Sequence, residues 1–506
     1  MKKPCWRLHG DIFIVVILFL VPLSTYFSLT PAFCATLHVP AEYSSIRAAM
    51  EAAINGDIIL VADGKYTGPD NKNLDYQGKA ITVQSERGPA NCIIDCEGSG
   101  RAFRFVKGEG KASVLSGFTI SNGREVAGGA VYIDAYKHAV PAESGLFNPM
   151  PVIKKCVFKN NSASGGVPAY RSAGGAIYCN YGSITISDCT FINNRTSWLG
   201  GAVKTDAGAH QFIGCHFEGN SAEAAGGAVS TGAAYAGGDA PSFIDCTFTR
   251  NHAPEGGGLY TTDFATVIRN CTFEYNTNAS NGFGGAISCR HSKAKIENCI
   301  IRNNSGGFFA GGIFIQTSAP TVTNSVISDN RATYEGSGIY IWESTPIIVN
   351  CTITRNEIFI RPDFQYSLST STENNSGGGI YCLESSPNII NTIVWGNLPD
   401  EIYADSLSSP IVDHSDVGGG WNGNGSGNIN QDPLFKSSDD YHLRAGSPCI
   451  DTGADVTSLF EDIEGDERPY GYGYDMGCDE WVYESGSGGH DLPFGCFIST
   501  LAFGSR

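Results

Sequence analysis

Short runs of apolar and polar residues recur along most of the chain, and an asparagine returns at one fixed offset in each repeat. In the run 183–187 isoleucines alternate with polar residues, and the run 346–350 is rich in β-branched residues; both are typical of half-buried strands. An asparagine follows five residues after a fixed position in ten successive copies of the unit. Glycine pairs followed by small and apolar residues, such as Gly174-Gly175-Ala176-Ile177, stand between the copies. Self-similarity at a period of 20–50 residues is typical of a stacked architecture.

The spacing of the units indicates which stack they form. Between Cys156 and Thr392 the fixed positions are 33, 26, 31, 25, 28, 26, 26 and 41 residues apart, so that the longer intervals read as insertions. No helical period appears between Ser113 and Asn397. A propeller is the alternative, but its blades need about 40–50 residues each. The spacing therefore predicts an all-β fold, a single right-handed parallel β-helix (a solenoid) with one coil per unit.

Stacking gives the repeated residues a structural role. Equivalent residues of successive coils would lie ~4.8 Å apart and form columns. The amide of each asparagine can then bond to the asparagines above and below it, and asparagine also suits a left-handed bend. The predicted asparagine ladder consists of Asn161, Asn194, Asn220, Asn251, Asn276, Asn304, Asn330, Asn356 and Asn397. Phenylalanines two residues after several cysteines are predicted to stack inward, at Phe158, Phe191, Phe217, Phe248 and Phe273.

Seventeen cysteines in one chain raise the question of disulfides. Seven of them are predicted to share one inward column as free, buried thiols, because bridges would strain the ladder: Cys156, Cys189, Cys215, Cys246, Cys271, Cys299 and Cys351. A disulfide between Cys449 and Cys478 is predicted, since both lie in the closing segment. No metal site is predicted, because CxxC motifs and histidines at ligand spacing from the cysteines are lacking.

The beginning of the chain predicts export. Lys2, Lys3 and Arg7 precede an apolar run from Ile12 to Leu29, and small residues lie near 32–35. This pattern predicts a signal peptide over 1–34, with an uncleaved membrane anchor as the alternative. A formal net charge of −18 argues against nucleic acid and anionic membranes as partners. The expected location is secreted or at the cell surface, with the outer membrane as one site of association, and the expected state is a monomer.

The ends of a β-helix need covers, because they expose an unpaired coil. The segment 35–80 is predicted to be the N-terminal cap, with a short amphipathic helix that Ser44 or Ser45 begins and Gly56 ends. The β-helix is predicted over 81–420 and an irregular C-terminal cap over 421–483. The last part, 484–506, is a Gly/Ser-rich linker with a tail.

These motifs resemble known sequences. The Gly-Gly-Ala-Ile/Val/Leu and Phe-x-x-Asn pair resembles the repeats of the chlamydial polymorphic outer membrane proteins, and more broadly the right-handed β-helix, pectin-lyase-like superfamily. The segment 432–480 looks like the closing domain of bacterial surface β-helix proteins, and 495–505 resembles a CFI-box element, from which Ser499, Leu501 and Phe503 depart. The resemblance implies the fold and a surface location. Because fold does not imply function, it implies no activity.

The superfamily includes enzymes that cleave sugars, so carboxylates in register are the candidates for catalysis. Five residues beyond each glycine pair the expected column reads Asp134, Asn180, Asp206, Gly232, Asp263, Arg290, Thr317, Glu343 and Glu384. Its catalytic candidates are Asp134, Asp206 and Asp263, of which the first two would lie two coils and ~10 Å apart. A turn position that favours such residues explains the column equally well, and we prefer that interpretation.

Other candidates concern binding. Within the insertion 357–376, Phe359, Phe364 and Tyr366 suit either a sugar face or a protein partner, or else pack the loop onto the coil beneath. No cofactor is expected; the acidic group Asp462, Glu464, Asp466 and Glu467 offers calcium ligands but reads better as a solvated loop. Two hypotheses remain. The first is an adhesive, ligand-presenting or structural surface protein without catalysis, whose partner is a carbohydrate or a component of a host or neighbouring cell surface. The second is a polysaccharide lyase or glycoside hydrolase.

Overall fold

Parallel strands in three long sheets make up most of the structure. The computed structural model describes residues 34–134, 150–168, 172–232, 240–279, 281–359, 376–456 and 459–482. The predicted signal peptide before Cys34, the residues Phe364 and Tyr366, and the linker and tail after 483 lie outside the described residues. Every strand pairing within the sheets is parallel, and the predicted right-handed parallel β-helix is confirmed.

Each coil contributes one strand to each sheet in turn. The first sheet contains Thr36–Val39, Ile58–Val61, Thr82–Ser85, Val114–Ser116, Val152–Lys154, Thr185–Ser187, Gln211–Ile213, Ser242–Ile244, Val267–Arg269, Lys295–Glu297, Thr321–Thr323, Ile347–Val349, Asn388–Ile390 and Ile411–Asp413. The second sheet contains Gly64–Tyr66, Cys92–Asp95, Thr119–Ser121, Val157–Lys159, Thr190–Ile192, His216–Glu218, Thr247–Thr249, Thr272–Glu274, Ile300–Arg302, Val326–Ser328, Thr352–Thr354, Ile393–Trp395 and Asp416–Val417.

The third sheet follows the glycine pairs. It contains Leu74–Asp75, Phe103–Phe105, Val131–Asp134, Ile177–Asn180, Val203–Thr205, Val229–Thr231, Leu259–Thr262, Ile287–Arg290, Ile313–Gln316, Ile339–Trp342, Ile380–Leu383 and Ile402–Ala404. Two-residue strands flank the asparagine turn at Arg124–Glu125, Ser162–Ala163, Arg195–Thr196, Ser221–Ala222, Arg331–Ala332 and Glu357–Ile358. The described helices are an α-helix, Ile46–Ala52, and a single 3-10 turn, Pro69–Asn71.

Tight bends join the sheets. At each bend one residue adopts the left-handed conformation, as Asp188 does at φ 52° before Cys189 and Asn193 does at φ 52° before Asn194. The left-handed residue is therefore the one before the ladder asparagine, and not the ladder asparagine itself. The glycine pairs are tighter still. Gly200 has φ +70°, and a Cβ on Gly201 would overlap the carbonyl oxygen of Gly227 in the next coil.

The asparagine ladder runs through the interior of the stack. The Oδ1 atom of Asn194 accepts bonds from the backbone N and the Nδ2 of Asn161, both at 3.0 Å, and the same pair of bonds recurs at each step to Asn397. The second amide hydrogen of Asn194 goes to the carbonyl of Phe158 at 2.9 Å. At the far end no further asparagine follows. There the carboxylate of Glu401 accepts from Asn397 Nδ2 at 2.6 Å and ends the ladder.

Aromatic rings and thiols fill the core. The rings of Phe191 and Phe217 stack with centroids 4.8 Å apart and planes 8° apart, and Phe248 and Phe273 stack at 4.4 Å and 2°. The predicted cysteine column lies inside, and its members are free thiols: Cys156, Cys189, Cys215, Cys246, Cys271, Cys299 and Cys351. Burial therefore makes them small apolar core residues.

The Cys449–Cys478 disulfide is the clearest error of the sequence interpretation. Both cysteines are free and buried. The thiol of Cys449 points to the carboxylate of Asp416, at 3.4 Å from Oδ2, while its backbone oxygen accepts from Met476 at 2.9 Å. The backbone of Cys449 thus pairs with Met476 rather than with Cys478, whose own backbone N bonds to Thr352 Oγ1 at 3.2 Å in a different direction.

The N-terminal segment 35–80 both caps the stack and begins it. Ser45 caps the helix Ile46–Ala52 and accepts from Ala48 N at 3.2 Å. The strand Thr36–Val39 pairs directly with Ile58–Val61, and these two are the first strands of the first sheet. The helix is seven residues long, and no helix among the described residues is both long and apolar enough to cross a bilayer.

The C-terminal segment, 432–482, packs against the side of the second sheet. Tyr441 donates to Asp329 at 3.1 Å, and Asn324 donates to the carbonyl of Glu461 at 2.7 Å. Ile393 of the second sheet shares an apolar cluster with Leu443 and other residues of this segment. The end of the core is instead covered by the segment 421–430, where Trp421 packs on the core and Ile429 forms a bridge with Asp416.

Candidate functional site

The outer side of the third sheet is the candidate functional site, and we call it the third-sheet face. Because strand residues alternate, two rows of side chains point away from the core. The first row is Arg104, Tyr132, Tyr178, Lys204, Ser230, Tyr260, Ser288, Phe314, Tyr340, Tyr381 and Tyr403. The second row is Asp134, Asn180, Asp206, Gly232, Thr262, Arg290, Gln316, Trp342 and Leu383.

This register corrects the predicted column. Thr262, and not Asp263, pairs with Arg290, and Gln316 and Trp342 follow. The error has two sources. Three consecutive glycines at 256–258 and 377–379 leave the choice of the glycine pair ambiguous, and at 310–312 and 336–338 the left-handed residue is Ala310 or Gly336 rather than the first glycine of a pair. Gly256 is the left-handed glycine, with φ +58°, so the count starts one residue earlier than predicted. The displaced residues Asp263, Thr317, Glu343 and Glu384 instead occupy left-handed turn positions with φ of 63°, 48°, 49° and 49°. Asp263 is therefore a turn residue and not part of a carboxylate column.

Asp134 and Asp206 do lie in the second row, two coils apart. Each is held by neighbours. Tyr132 donates to Asp134 Oδ2 at 2.7 Å, and Asn180 Nδ2 donates to Oδ1 at 3.2 Å. On Asp206, Lys204 Nζ bonds Oδ1 at 2.7 Å and the Tyr178 hydroxyl bonds Oδ2 at 3.0 Å. Two ladder steps place the carboxylates ~10 Å apart with Asn180 between them.

The ionisable groups around Asp206 are held in a fixed hydrogen-bond network. Burial, together with the Asp206 carboxylate, raises the pKa of Tyr178, so that its hydroxyl stays protonated and keeps donating. Burial lowers the pKa of His210 to about 4, which leaves its imidazole neutral. The Nε2 of His210 contacts the backbone oxygen of Asp206 at 2.6 Å and must therefore carry the proton. These groups orient hydrogen bonds, and none is placed as a free acid or base.

The middle of the face carries an ion pair. Arg290 contacts the carboxylate of Glu255 and the side-chain oxygen of Gln316. Ser288 Oγ donates to Glu255 at 2.7 Å. The guanidinium of Arg290 also lies over the ring of Phe314, 5.3 Å from its centroid. The pair is half-buried, so that the planar guanidinium is positioned while one side remains open to solvent.

Aromatic residues dominate the far end of the first row. Tyr340 and Tyr381 stack with centroids 5.1 Å apart, and Tyr381 stacks on Tyr403 at 4.9 Å. Phe314 and Tyr340 are fully buried and form a small second core outside the coil. Beside them burial raises the pKa of Glu335 to about 7, against an opposing hydrogen bond from Tyr381. The accessible part of this end is the second row, where Trp342 and Leu383 are half-exposed.

The remaining predicted residues stand apart from the face. Phe359 is 51% exposed next to the two-residue strand Glu357–Ile358, and its backbone N bonds to Ala332. In the C-terminal segment, Asp462 accepts backbone bonds from Glu464, Gly465 and Asp466 at 2.8–2.9 Å through Oδ1. Its carboxylate therefore anchors the loop whose acidic side chains offer possible calcium ligands.

One group in the described part of the chain brings metal-ligating atoms together. The side-chain ligand atoms of His442, Glu464 and Asp479 lie within 4.8 Å of one another. The sequence predicts no metal site, because CxxC motifs and histidines at ligand spacing from the cysteines are lacking. These three residues come from separate loops, and no spacing along the chain brings them together.

The comparisons with known proteins agree with the repeat and the coil. A family model described as the right-handed beta helix region matches residues 171–315 and 235–397. A model of the Chlamydia polymorphic membrane protein repeat matches residues 155–180. The chain thus contains a right-handed β-helix region and one stretch that matches a repeat of the polymorphic membrane protein type. No curated protein matches its sequence.

Solved structures with a similar coil include polysaccharide lyases, an epimerase and a bacteriophage tailspike protein. A mutant of the PL6 family alginate lyase AlyGC is 13% identical, with a TM-score of 0.41 over 78% of this chain and 53% of the lyase. The A-module of the Azotobacter vinelandii mannuronan C-5 epimerase AlgE6 is 13% identical, with a TM-score of 0.41 over 76% of this chain and 93% of the module. For pectate lyase Pel9A the values are 13%, 0.33, 88% and 96%. The chain spans about half the length of the alginate lyase.

Proposed function

We propose that this protein is exported to the cell surface, where its β-helix binds an extended polysaccharide along the third-sheet face without cleaving it. The observation that carries this proposal is the second row. Asn180, Asp206, Thr262, Gln316 and Trp342 are half-exposed and in register, and their side chains offer amide, carboxylate, hydroxyl and indole groups. Successive coils lie ~4.8 Å apart along the helix axis, so that neighbouring members of this set are one or two coils apart. Such a strip matches a ligand that is long and repeats its hydroxyl groups.

The carboxylates support binding rather than turnover. General acid or base catalysis needs a group that can exchange a proton with the substrate. Each oxygen of Asp206 already accepts a bond, from Lys204 or from Tyr178, and Asp134 is held in the same way by Tyr132 and Asn180. Asp263, the third candidate, lies in a turn outside the strand. A carboxylate held in this way presents its remaining lone pairs to ligand hydroxyls.

The surface location rests on the repeat and on the start of the chain. The repeat of the polymorphic membrane protein type supports a surface-exposed protein of the outer membrane. The predicted signal peptide over 1–34 supports export, and the net charge of −18 supports a partner that is neither nucleic acid nor an anionic membrane.

A polysaccharide panel tests the proposal. Affinity electrophoresis of the purified protein through gels that contain single polysaccharides should show retardation by at least one of them. Replacing the half-exposed Trp342 by alanine should remove most of the retardation. Trp198→Ala is the matched control, because that indole is 37% exposed in a turn before the glycine pair and does not belong to either row.

The same preparations report on catalysis. Incubation with each polysaccharide, with and without calcium, should yield no unsaturated or reducing-end product. Product formation that is lost on Asp206→Ala would replace the binding proposal by the lyase or hydrolase hypothesis. Equal retardation of the Trp342→Ala and Trp198→Ala variants would show that the binding site lies outside the third-sheet face.

A further inference from the structure

A second site lies in the C-terminal segment, in loops that the third-sheet face does not involve. His442 follows the stretch that docks on Asp329, Glu464 lies in the loop anchored by Asp462, and Asp479 precedes Glu480 near the end of the described chain. His442 Nε2 is 3.5 Å from Glu464 Oε1 and 3.9 Å from Asp479 Oδ1. Both separations exceed those of charge-assisted hydrogen bonds, which are about 2.7–2.9 Å.

We propose that His442, Glu464 and Asp479 bind a divalent transition-metal ion, Zn²⁺ in the first place, through one imidazole nitrogen and two carboxylate oxygens. Two ligand atoms that each lie ~2.1 Å from a tetrahedral Zn²⁺ are about 3.4 Å apart. The observed 3.5 and 3.9 Å fit this value after a small contraction. Calcium is a poorer match, since it takes 6–8 oxygen ligands in proteins, whereas an imidazole nitrogen is a typical ligand of zinc and its neighbours.

Asp479 supplies an independent reason to place a ligand there. Its side chain is only 9% exposed. Oδ2 accepts a hydrogen bond from the backbone N of Leu443 at 2.9 Å, and Oδ1 faces the group, 3.9 Å from His442 Nε2. A largely buried carboxylate is costly unless its charge is compensated, and a bound cation would compensate it.

The orientation of His442 matches that of a metal ligand. Its Nδ1 contacts the carboxylate of Asp440, so that the proton of the neutral ring is held on this side. The lone pair of Nε2 then points toward the two carboxylates. Without a cation, the ring can take up a second proton on Nε2 and pair with the two carboxylates; with one, the neutral ring and both carboxylates become ligands.

The partial exposure of Glu464, whose side chain is 27% accessible, leaves room for a water in the fourth position. The ion would add a link between three stretches of the C-terminal segment that hydrogen bonds already join, such as Ile463 N to the carbonyl of Cys478 at 3.1 Å and Leu443 N to Asp479 Oδ2 at 2.9 Å. We therefore expect it to act as a structural brace that holds this segment on the second sheet.

Metal titration of the full-length protein tests the site. After treatment with a chelator, one equivalent of Zn²⁺ should raise the melting temperature, while Ca²⁺ and Mg²⁺ at the same concentration should not. Co²⁺ should give the visible absorption of a tetrahedral site with nitrogen and oxygen ligands. A response to Ca²⁺ equal to that to Zn²⁺, or no saturable response to Zn²⁺ at all, would overturn the proposal.

Variants distinguish metal binding at this site from metal binding by the buried thiols, because every variant keeps all of the thiols. His442→Gln and Glu464→Gln should abolish the Zn²⁺ response and the Co²⁺ spectrum. Glu464 is the safer of the two for folding, since it is partly exposed. Asp440→Asn should weaken Zn²⁺ about 10–100-fold, as expected for a residue that orients a ligand. His216→Gln is the matched control, because His216 also stands beside a carboxylate, 3.6 Å from Glu218, on the second sheet. Retention of the response by Glu464→Gln, or its loss in His216→Gln, would contradict the assignment.

Discussion

Replacing Asn251 by alanine removes one member of the asparagine ladder from the middle of the β-helix. The side chain is fully buried and makes four hydrogen bonds. Its Oδ1 accepts from the backbone N of Asn220 at 3.0 Å and from Asn220 Nδ2 at 2.9 Å. Its Nδ2 donates to the carbonyl of Phe217 and to Asn276 Oδ1, both at 3.0 Å. Alanine therefore leaves two donors of Asn220 without an acceptor in a place that water does not reach.

The expected loss in the free energy of unfolding follows from those two donors. A buried polar group that loses its partner costs about 1–3 kcal/mol. Two such groups give an expected loss of about 4 kcal/mol in the free energy of unfolding. This is a large part of the ~5–15 kcal/mol that stabilises a typical protein.

Urea denaturation followed by far-UV circular dichroism measures the loss, provided that the denaturant slopes of variant and parent agree. Asn388→Ala is the control, since this asparagine lies in a first-sheet strand but is exposed, and a change within about 0.5 kcal/mol is expected. A loss below about 1 kcal/mol for Asn251→Ala, or a loss equal to that of the control, would refute the account of the ladder as a buried hydrogen-bond network.

Asn251→Asp probes the direction of the bonds. The carboxylate keeps an oxygen for the donors of Asn220, but its second oxygen faces two acceptors, the carbonyl of Phe217 and Oδ1 of Asn276. We expect a loss at neutral pH at least as large as that of alanine, and partial recovery in acid, where the protonated group donates again. A variant whose stability does not depend on pH would show that the donor side of Asn251 is unimportant.

Three further predictions concern pH, thiols and the turn residues. Burial raises the pKa of Glu401 to about 7 and that of Asp416 to about 6, above their ordinary values of 4.5 and 3.8. Between these values the folded protein keeps protons that the unfolded chain has released. The stability that these two groups contribute should therefore be complete in acid and fall as the pH rises from about 4 to about 7. Thermal melts at several pH values should show a weaker dependence of the melting temperature on pH for Glu401→Gln than for the parent. Cys449 and Cys478 should both be alkylated in denaturant without a reductant, and a disulfide-linked peptide in the mass spectrum would contradict the structure. Asp263→Gly should keep full stability and polysaccharide retardation, because φ of 63° suits glycine; lost retardation would restore this residue to the binding site.

The sequence alone predicted the coil, because its determinants repeat. A residue that returns at each turn meets its own copies above and below, so the column of Asn194 and Asn220 or the stack of Phe191 on Phe217 follows from the spacing and from the ~4.8 Å between strands. The same rule failed at Asp263. Three consecutive glycines there are compatible with two registers, and only the backbone conformation at Gly256 distinguishes between them.

Contacts without a period were decided by the tertiary structure. The docking of the C-terminal segment on the second sheet joins Tyr441 to Asp329, which are 112 residues apart, and nothing in the repeat indicates this pairing. The free thiol of Cys449 and the convergence of His442 with Asp479 depend on the same docking. The asparagine ladder depends only on contacts between neighbouring coils, and the same repeat spacing produces the same contact at each coil. The site in the C-terminal segment arises from unique loops packed on a common surface, and for these the sequence contains the residue types but no spacing that brings them together.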